Sequence, residues 1–147
     1  GFAGSNTRFY KPDSGAALYR RSLYTFLKRT APAPFMANFD APNREQFCPR
    51  RERSNTPLQA LTLANDRAFV EFAQGLAQRV LALSVTDDAA RLKQAFRWCL
   101  VREPQPRELD RLSEFLVAQR RQVETASDAW VSVARVLLNL DEFVTRE

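Results

Sequence analysis

Histidine is absent from this sequence. That removes the usual general base, the commonest metal ligand and any haem attachment of the Cys-x-x-Cys-His type. Cysteine is scarce: Cys48 and Cys99 are too few for a four-ligand zinc site or a disulfide scaffold. One bridge between them would suit an exported protein, but two separate thiols are the simpler reading, with Cys99 buried on a helix as a small hydrophobe. Glycine occurs four times, and the eight prolines fall mostly in two stretches, so low-complexity disorder is not expected. No long apolar run exists either. The best stretch near the C-terminus, 131–140, is interrupted by Ser132, Arg135 and Asn139, too short and too polar to span a bilayer. The opening GFAGSNTRFY lacks a charged segment followed by an apolar one, so no signal peptide is expected in it. Without an initiator Met, it reads as the start of a mature or excised fragment.

What is present is a chain of 147 residues, 45% hydrophobic, long enough for one domain with its own core. Its net charge of +5 is unevenly placed. Residues 1–56 carry ten Lys/Arg against four acids, a net +6, and the remainder sums to −1. Such asymmetry marks either an anion-binding surface or a surface that docks on acidic parts of the same parent protein.

Residues 1–17 read as an irregular lead-in with a turn cluster at 11–15. Across 18–29, Leu23, Thr25 and Leu27 alternate with Tyr24, Phe26 and Lys28, which suits a short strand; a helix is the competing reading. Pro32 and Pro34 stop regular structure, and 35–39 reads as another extended piece. A turn is expected at 40–43, because Asp40 and Asn43 can bond their own backbone. From Thr56 the pattern becomes helical. Thr56 is a good N-cap and Pro57 fits the first helical position. Leu58, Leu61, Phe69, Phe72, Leu76, Val80 and Leu83 step at helical spacing, with a break at Asn65-Asp66. Thr86 is expected to cap a helix running to about Leu100, and Pro104 and Pro106 separate it from an amphipathic helix carrying Leu109, Leu112, Leu116 and Val123. Ser127 is expected to cap a last helix over 128–140, apolar nearly all round and therefore central, with Trp98 and Trp130 as core residues. The fold class that follows is mainly α: a small bundle of about five helices over 56–147, with an irregular, partly extended basic arm over 1–55.

The segments YRRSLYTFLKRTAPAPFMANFDAPNRE (19–45), RRERSNTPLQALTLAND (50–66) and LLNLDEF (137–143) resemble the C-terminal domain of unknown function of a planctomycete-type family. Members of that family often carry planctomycete-type cytochrome c domains and a second uncharacterised domain. The resemblance covers roughly residues 18–147. It implies a large multidomain parent, an extracytoplasmic location (periplasmic or cell surface), no cofactor in this domain and no established activity. A role in degrading complex polysaccharides is associated with such systems, without a mechanism.

A second, looser likeness joins Val101-Arg102-Glu103-Pro104, Glu108-Leu109 and the 138–143 segment to a helical-hairpin pattern of uncharacterised extracellular families. Its physical reading is structural: Arg102 leaves its helix where it can bind the last carbonyls of the final helix and pair with Asp141 or Glu142, while Phe143 folds back onto the bundle.

Among functional candidates, the polar stretch 40–55 is the best placed. Arg44, Arg50, Arg51 and Arg53, with Asn43 and Asp40, could hold a carboxylate, sulfate or phosphate through paired N–H bonds. The competing reading is that these groups tie down the arm. Arg20, Arg21, Lys28 and Arg29 lie among aromatics that could stack on bases, but no nucleic-acid module appears and nucleic acid is not the expected partner. Catalysis would reduce to carboxylates such as Asp40 with Glu45, and an independent enzyme is not expected. The expected function is a non-catalytic structural or interaction module whose partners are other domains of its parent. The alternative is an accessory glycan- or anion-binding domain with an anionic polysaccharide as partner.

Overall fold

The computed structural model describes residues 13–28, 32–42, 46–50 and 54–145. It is mainly helical, with no strand among the described residues, and it divides into two compact units, Gly1–Ser54 and Asn55–Glu147.

The second unit holds helices α2 (Pro57–Asn65), α3 (Arg67–Leu81), α4 (Asp88–Leu100), α5 (Pro106–Arg120), α6 (Ala126–Leu138) and the single turn α7 (Asp141–Val144). The apolar face of α6 is the centre of this bundle. It packs against α3 and α5 most extensively, and also against α4 and α7. Ala129, Trp130, Val133, Ala134 and Leu137 are all at most 2% exposed. Around them lie Ala77 and Val80 of α3, Leu92, Phe96 and Cys99 of α4, and Leu112 and Leu116 of α5, a core filled at helical spacing. Phe143 of α7 packs against the same core. Burial pushes the Cys99 thiol up to about 11, which makes it an inert core group.

The helix ends follow from local chemistry. The hydroxyl of Thr56 accepts from the Gln59 amide (3.2 Å) while the Gln59 side chain accepts from the Thr56 amide (3.0 Å), and Pro57 opens α2 as expected. Asp66 ends α2 and caps α3 by accepting from Ala68 N–H at 2.9 Å, which is the expected break. Two caps differ from expectation. Asp87, not Thr86, accepts from the Ala90 amide at 3.0 Å; its carboxylate also suits the positive end of α4. Thr125, not Ser127, accepts from the Asp128 amide at 3.1 Å, so α6 starts earlier and Ser127 lies in its first turn. Asp88 at the start of α4 receives two bonds from Arg120 at the end of α5, at 2.6 and 2.9 Å. Arg79 of α3 lies over the ring of Trp98 of α4, 4.6 Å from its centre.

In the first unit a strand is expected over 18–29; Arg29 lies outside the described residues, and over 18–28 no strand is formed. Residues Gly15–Tyr19 and Ser22–Tyr24 are 3-10 turns, closed by bonds such as Tyr24 N–H to the Arg21 carbonyl at 2.9 Å. An alternating segment needs a second strand to satisfy its backbone; with no strand among the described residues, short local bonds close instead. The extended piece expected at 35–39 is also replaced, by helix α1 (Pro34–Asn38). Pro34 fits the first helical position, and Phe35 and Phe39, four apart, meet with ring centres at 4.9 Å. No described residue of this unit is buried.

Candidate functional site

Three of the residues singled out by sequence surround one turn. The α4 helix ends at Val101, whose left-handed backbone (φ 59, ψ 24) turns the chain so that Arg102 points back over the helix. The guanidinium lies 4.8 Å from the centre of the Phe96 ring. Arg102 Nε and Nη2 donate to Glu142 at 2.8 and 2.6 Å, and Nη1 and Nη2 donate to Glu108 at 2.8 Å each. Nη1 also donates to the Glu103 carbonyl at 3.1 Å. Glu108 in turn accepts from the Gln105 amide at 2.7 Å, closing the N-terminus of α5.

All five guanidinium N–H groups are therefore committed to protein oxygens. The arrangement clasps the end of α4, the start of α5 and α7 with one side chain. The fork of Arg102 holds the Glu108 carboxyl far down, at about 2, and lowers Glu142 by the same kind of bond. The two carboxylates raise the Arg102 guanidinium in return. Such a group has no donor left for a ligand; its chemistry is structural. Of the two partners that the sequence offered for Arg102, only Glu142 is engaged. Asp141 instead accepts from the Asn55 side chain, which links the entry of α2 to α7. The α6 carbonyls are not among the Arg102 partners. Glu108 was legible as a motif position but not as the second carboxylate, although the Gln105-Pro106-Arg107-Glu108 spacing of a capping box points to it.

The basic stretch is placed less completely. Asn43, Arg44, Arg51 and Arg53 lie outside the described residues. Asp40 takes a left-handed backbone (φ 55), and its carboxylate accepts from the Ser54 amide at 2.8 Å and from the Ser54 hydroxyl at 2.7 and 2.9 Å. It acts there as a clamp on its own unit, bonded through both oxygens. Arg50 is exposed, and its carbonyl accepts from the exposed Cys48 thiol at 3.3 Å. Both cysteines are free thiols. Among the described residues no group of three His, Cys, Asp or Glu could hold a metal ion.

A family model described as PSD1, protein of unknown function (DUF1553), matches residues 3–116. The chain belongs to this family. The PSD1 match takes in the basic stretch, the Thr56 cap and the Arg102 and Glu108 half of the clasp, and it ends before α6 and α7. No curated protein and no solved structure matches the chain. Membership in PSD1 brings no activity with it, so the reading of function rests on the side chains. No helix among the described residues is long and apolar enough to cross a membrane.

Proposed function

We propose that this chain is a non-catalytic structural or interaction module of an exported multidomain protein, held against other domains of its parent. The observation that carries the reading is the apolar surface of the first unit. Leu18, Tyr19, Leu23, Tyr24, Phe26 and Phe47 are between 54% and 90% exposed. Scattered apolar residues are ordinary on a surface, but six large ones within thirty residues, in a unit where no described residue is buried, favour an interaction face. Arg20, Arg21 and Lys28 stand among them, so the fitting partner surface is apolar with an acidic rim. The saturated clasp at Arg102 agrees with a module that holds shape rather than turns over substrate. The family resemblance of the sequence adds the extracytoplasmic location and a parent that carries cytochrome c domains; no cofactor is assigned to this domain.

Hydrogen exchange tests this reading. Residues 18–28 should exchange fast in the isolated chain and be protected when the chain is part of its full-length parent. Equal exchange in the two forms would remove the docking role.

A second reading, an accessory glycan- or anion-binding surface, is favoured by the exposure of Arg50 beside the arginines of the same stretch. Substituting Arg44, Arg50 and Arg51 should then abolish retention on an anionic polysaccharide column. Unchanged retention would leave the interaction reading alone.

A further inference from the structure

We propose that a groove between α5 and α6, closed at one end by the last turn of α2, binds a small organic carboxylate through Arg135. The groove lies wholly in the helical bundle, and its volume of about 290 Å³ suits one small molecule. Its polar side is built by Arg135, Gln119 and Asn139, and its apolar side by Phe115, Val136 and Ala64. The proposal does not depend on the interaction face of the first unit or on the arginines of residues 44–53.

The position of the cation comes first. Asp66 breaks the chain between α2 and α3, so the Ala64 carbonyl sits at a helix end where intrahelical partners run out. Arg135 Nη2 donates to that oxygen at 2.7 Å. One bond therefore fixes the guanidinium on the groove wall, and Arg135 makes no ion pair among the described residues. The contrast with Arg102 is direct. There every N–H is spent on protein; here one is used and the remaining donors keep the fork that a carboxylate takes through two parallel bonds.

The surroundings select the class of ligand. No acidic side chain lines the groove. The nearest acid along the same helix, Asp128, accepts from its own cap, Thr125. A single cation flanked by neutral amides matches a monoanion better than a phosphate dianion, which would call for more positive charge. The side-chain amides of Gln119 and Asn139 lie on the groove wall, and each carries a donor and an acceptor. Ser132, also on the wall, donates its hydroxyl to the Asp128 carbonyl and keeps lone pairs to accept with. Half-buried Phe115 and Val136 supply a face for a compact apolar body. A carboxylate with such a body comes from two sources: a uronic acid ring, with its hydroxyls on the amides, or a peptide C-terminus ending in an apolar residue.

The test titrates the full isotope-labelled chain with sodium glucuronate and with N-acetylphenylalanine. Glucose and N-acetylphenylalanine amide serve as the uncharged counterparts. One of the two acids should shift the side-chain amide signals of Gln119 and Asn139 and bind at least about tenfold more tightly than its neutral counterpart. Arg135→Gln should lower that affinity about tenfold. Gln119→Ala, which leaves the bond to Ala64 intact, should weaken it several-fold without changing the unfolding midpoint. Preference for glucuronate assigns a sugar acid, and preference for the amino-acid derivative assigns a peptide end. Acid and neutral forms that bind alike, or amide signals that stay in place with both acids, would overturn the site.

Discussion

The two units of this chain are both rich in large apolar side chains, yet they use them in opposite ways. The bundle buries fourteen hydrophobic residues, while the described part of the first unit buries none. Spacing accounts for the difference. In α3 to α6 the apolar residues recur every three or four positions, so each helix presents a stripe that closes on the stripe of another. In residues 18–28 they alternate or cluster within short 3-10 turns, where no continuous stripe can form. Apolar content makes a surface adhesive; periodicity decides whether the chain satisfies it internally.

The sharpest way to break that comparison is to truncate one aromatic in each unit. Trp130 is 1% exposed in the bundle centre, and Trp130→Ala should cost about 3–5 kcal/mol in urea unfolding. Phe26 is 75% exposed, and Phe26→Ala should stay within about 0.5 kcal/mol. A large loss from the Phe26 change would mean that the first unit stabilises the chain as the bundle does, and the contrast would fail.

The next effect concerns polar closure. Arg102→Met removes the shared partner of Glu108 and Glu142 and leaves two carboxylates facing each other. The side chains are a third to a half exposed, so solvent screening keeps the cost to about 1–2 kcal/mol at neutral pH. The sign of its pH dependence follows from Glu108, whose folded value is held at about 2, below its ordinary 4.5. A carboxylate lowered in the folded state stabilises in full above the unfolded value and loses that contribution as pH falls toward the folded one. The gap between the wild type and Arg102→Met should thus shrink from pH 4.5 down to about 2, read as converging urea midpoints. A gap that stays constant over that range would show that the clasp contributes by packing on Phe96 and not by charge.

Much of the bundle was legible because helices announce themselves through period and punctuation. Thr56-Pro57, the break at Asn65-Asp66 and the paired prolines 104 and 106 placed the ends of α2, α3 and α5 closely. Where two capping residues stood near each other, the choice failed. Thr86 and Asp87, or Thr125 and Ser127, differ in which oxygen meets the third amide of the helix, and that is settled by backbone geometry. Residues 18–28 misled for a different reason. Alternation implies a strand only if another strand exists to pair with it, and that is a property of the whole chain. The clasp was half legible. Arg102 and Glu142 lie forty positions apart, and the turn that brings Glu108 into the same fork depends on a valine in a backbone state that its side chain disfavours. The groove at Arg135 carried no signal, because its residues are unremarkable on their own helices and gain meaning only where α2 ends beside α6.

That valine supports the smallest and most discriminating comparison. Gly15 in the first unit and Val101 in the bundle share nearly the same left-handed backbone, with φ of 58 and 59. Glycine takes that state freely, whereas a β-branched residue is strained there. The bundle can hold Val101 so because the amide of Val101 bonds the Arg97 carbonyl at 2.9 Å on one side and the Arg102 clasp pulls on the other. The Val101 side chain is 77% exposed, so it returns little by burial. Val101→Gly should therefore raise stability by about 0.5–1 kcal/mol, and the gain should survive in the Arg102→Met background if it comes from relieved backbone strain. The reverse change, Gly15→Val, strains its turn by a similar amount but should leave the urea midpoint where it was, because that turn lies outside the cooperative core. If Val101→Gly instead destabilised, the side chain itself would be contributing, most directly by shielding the fork of Arg102 from water; the clasp would then depend on its flanking valine as much as on its carboxylates.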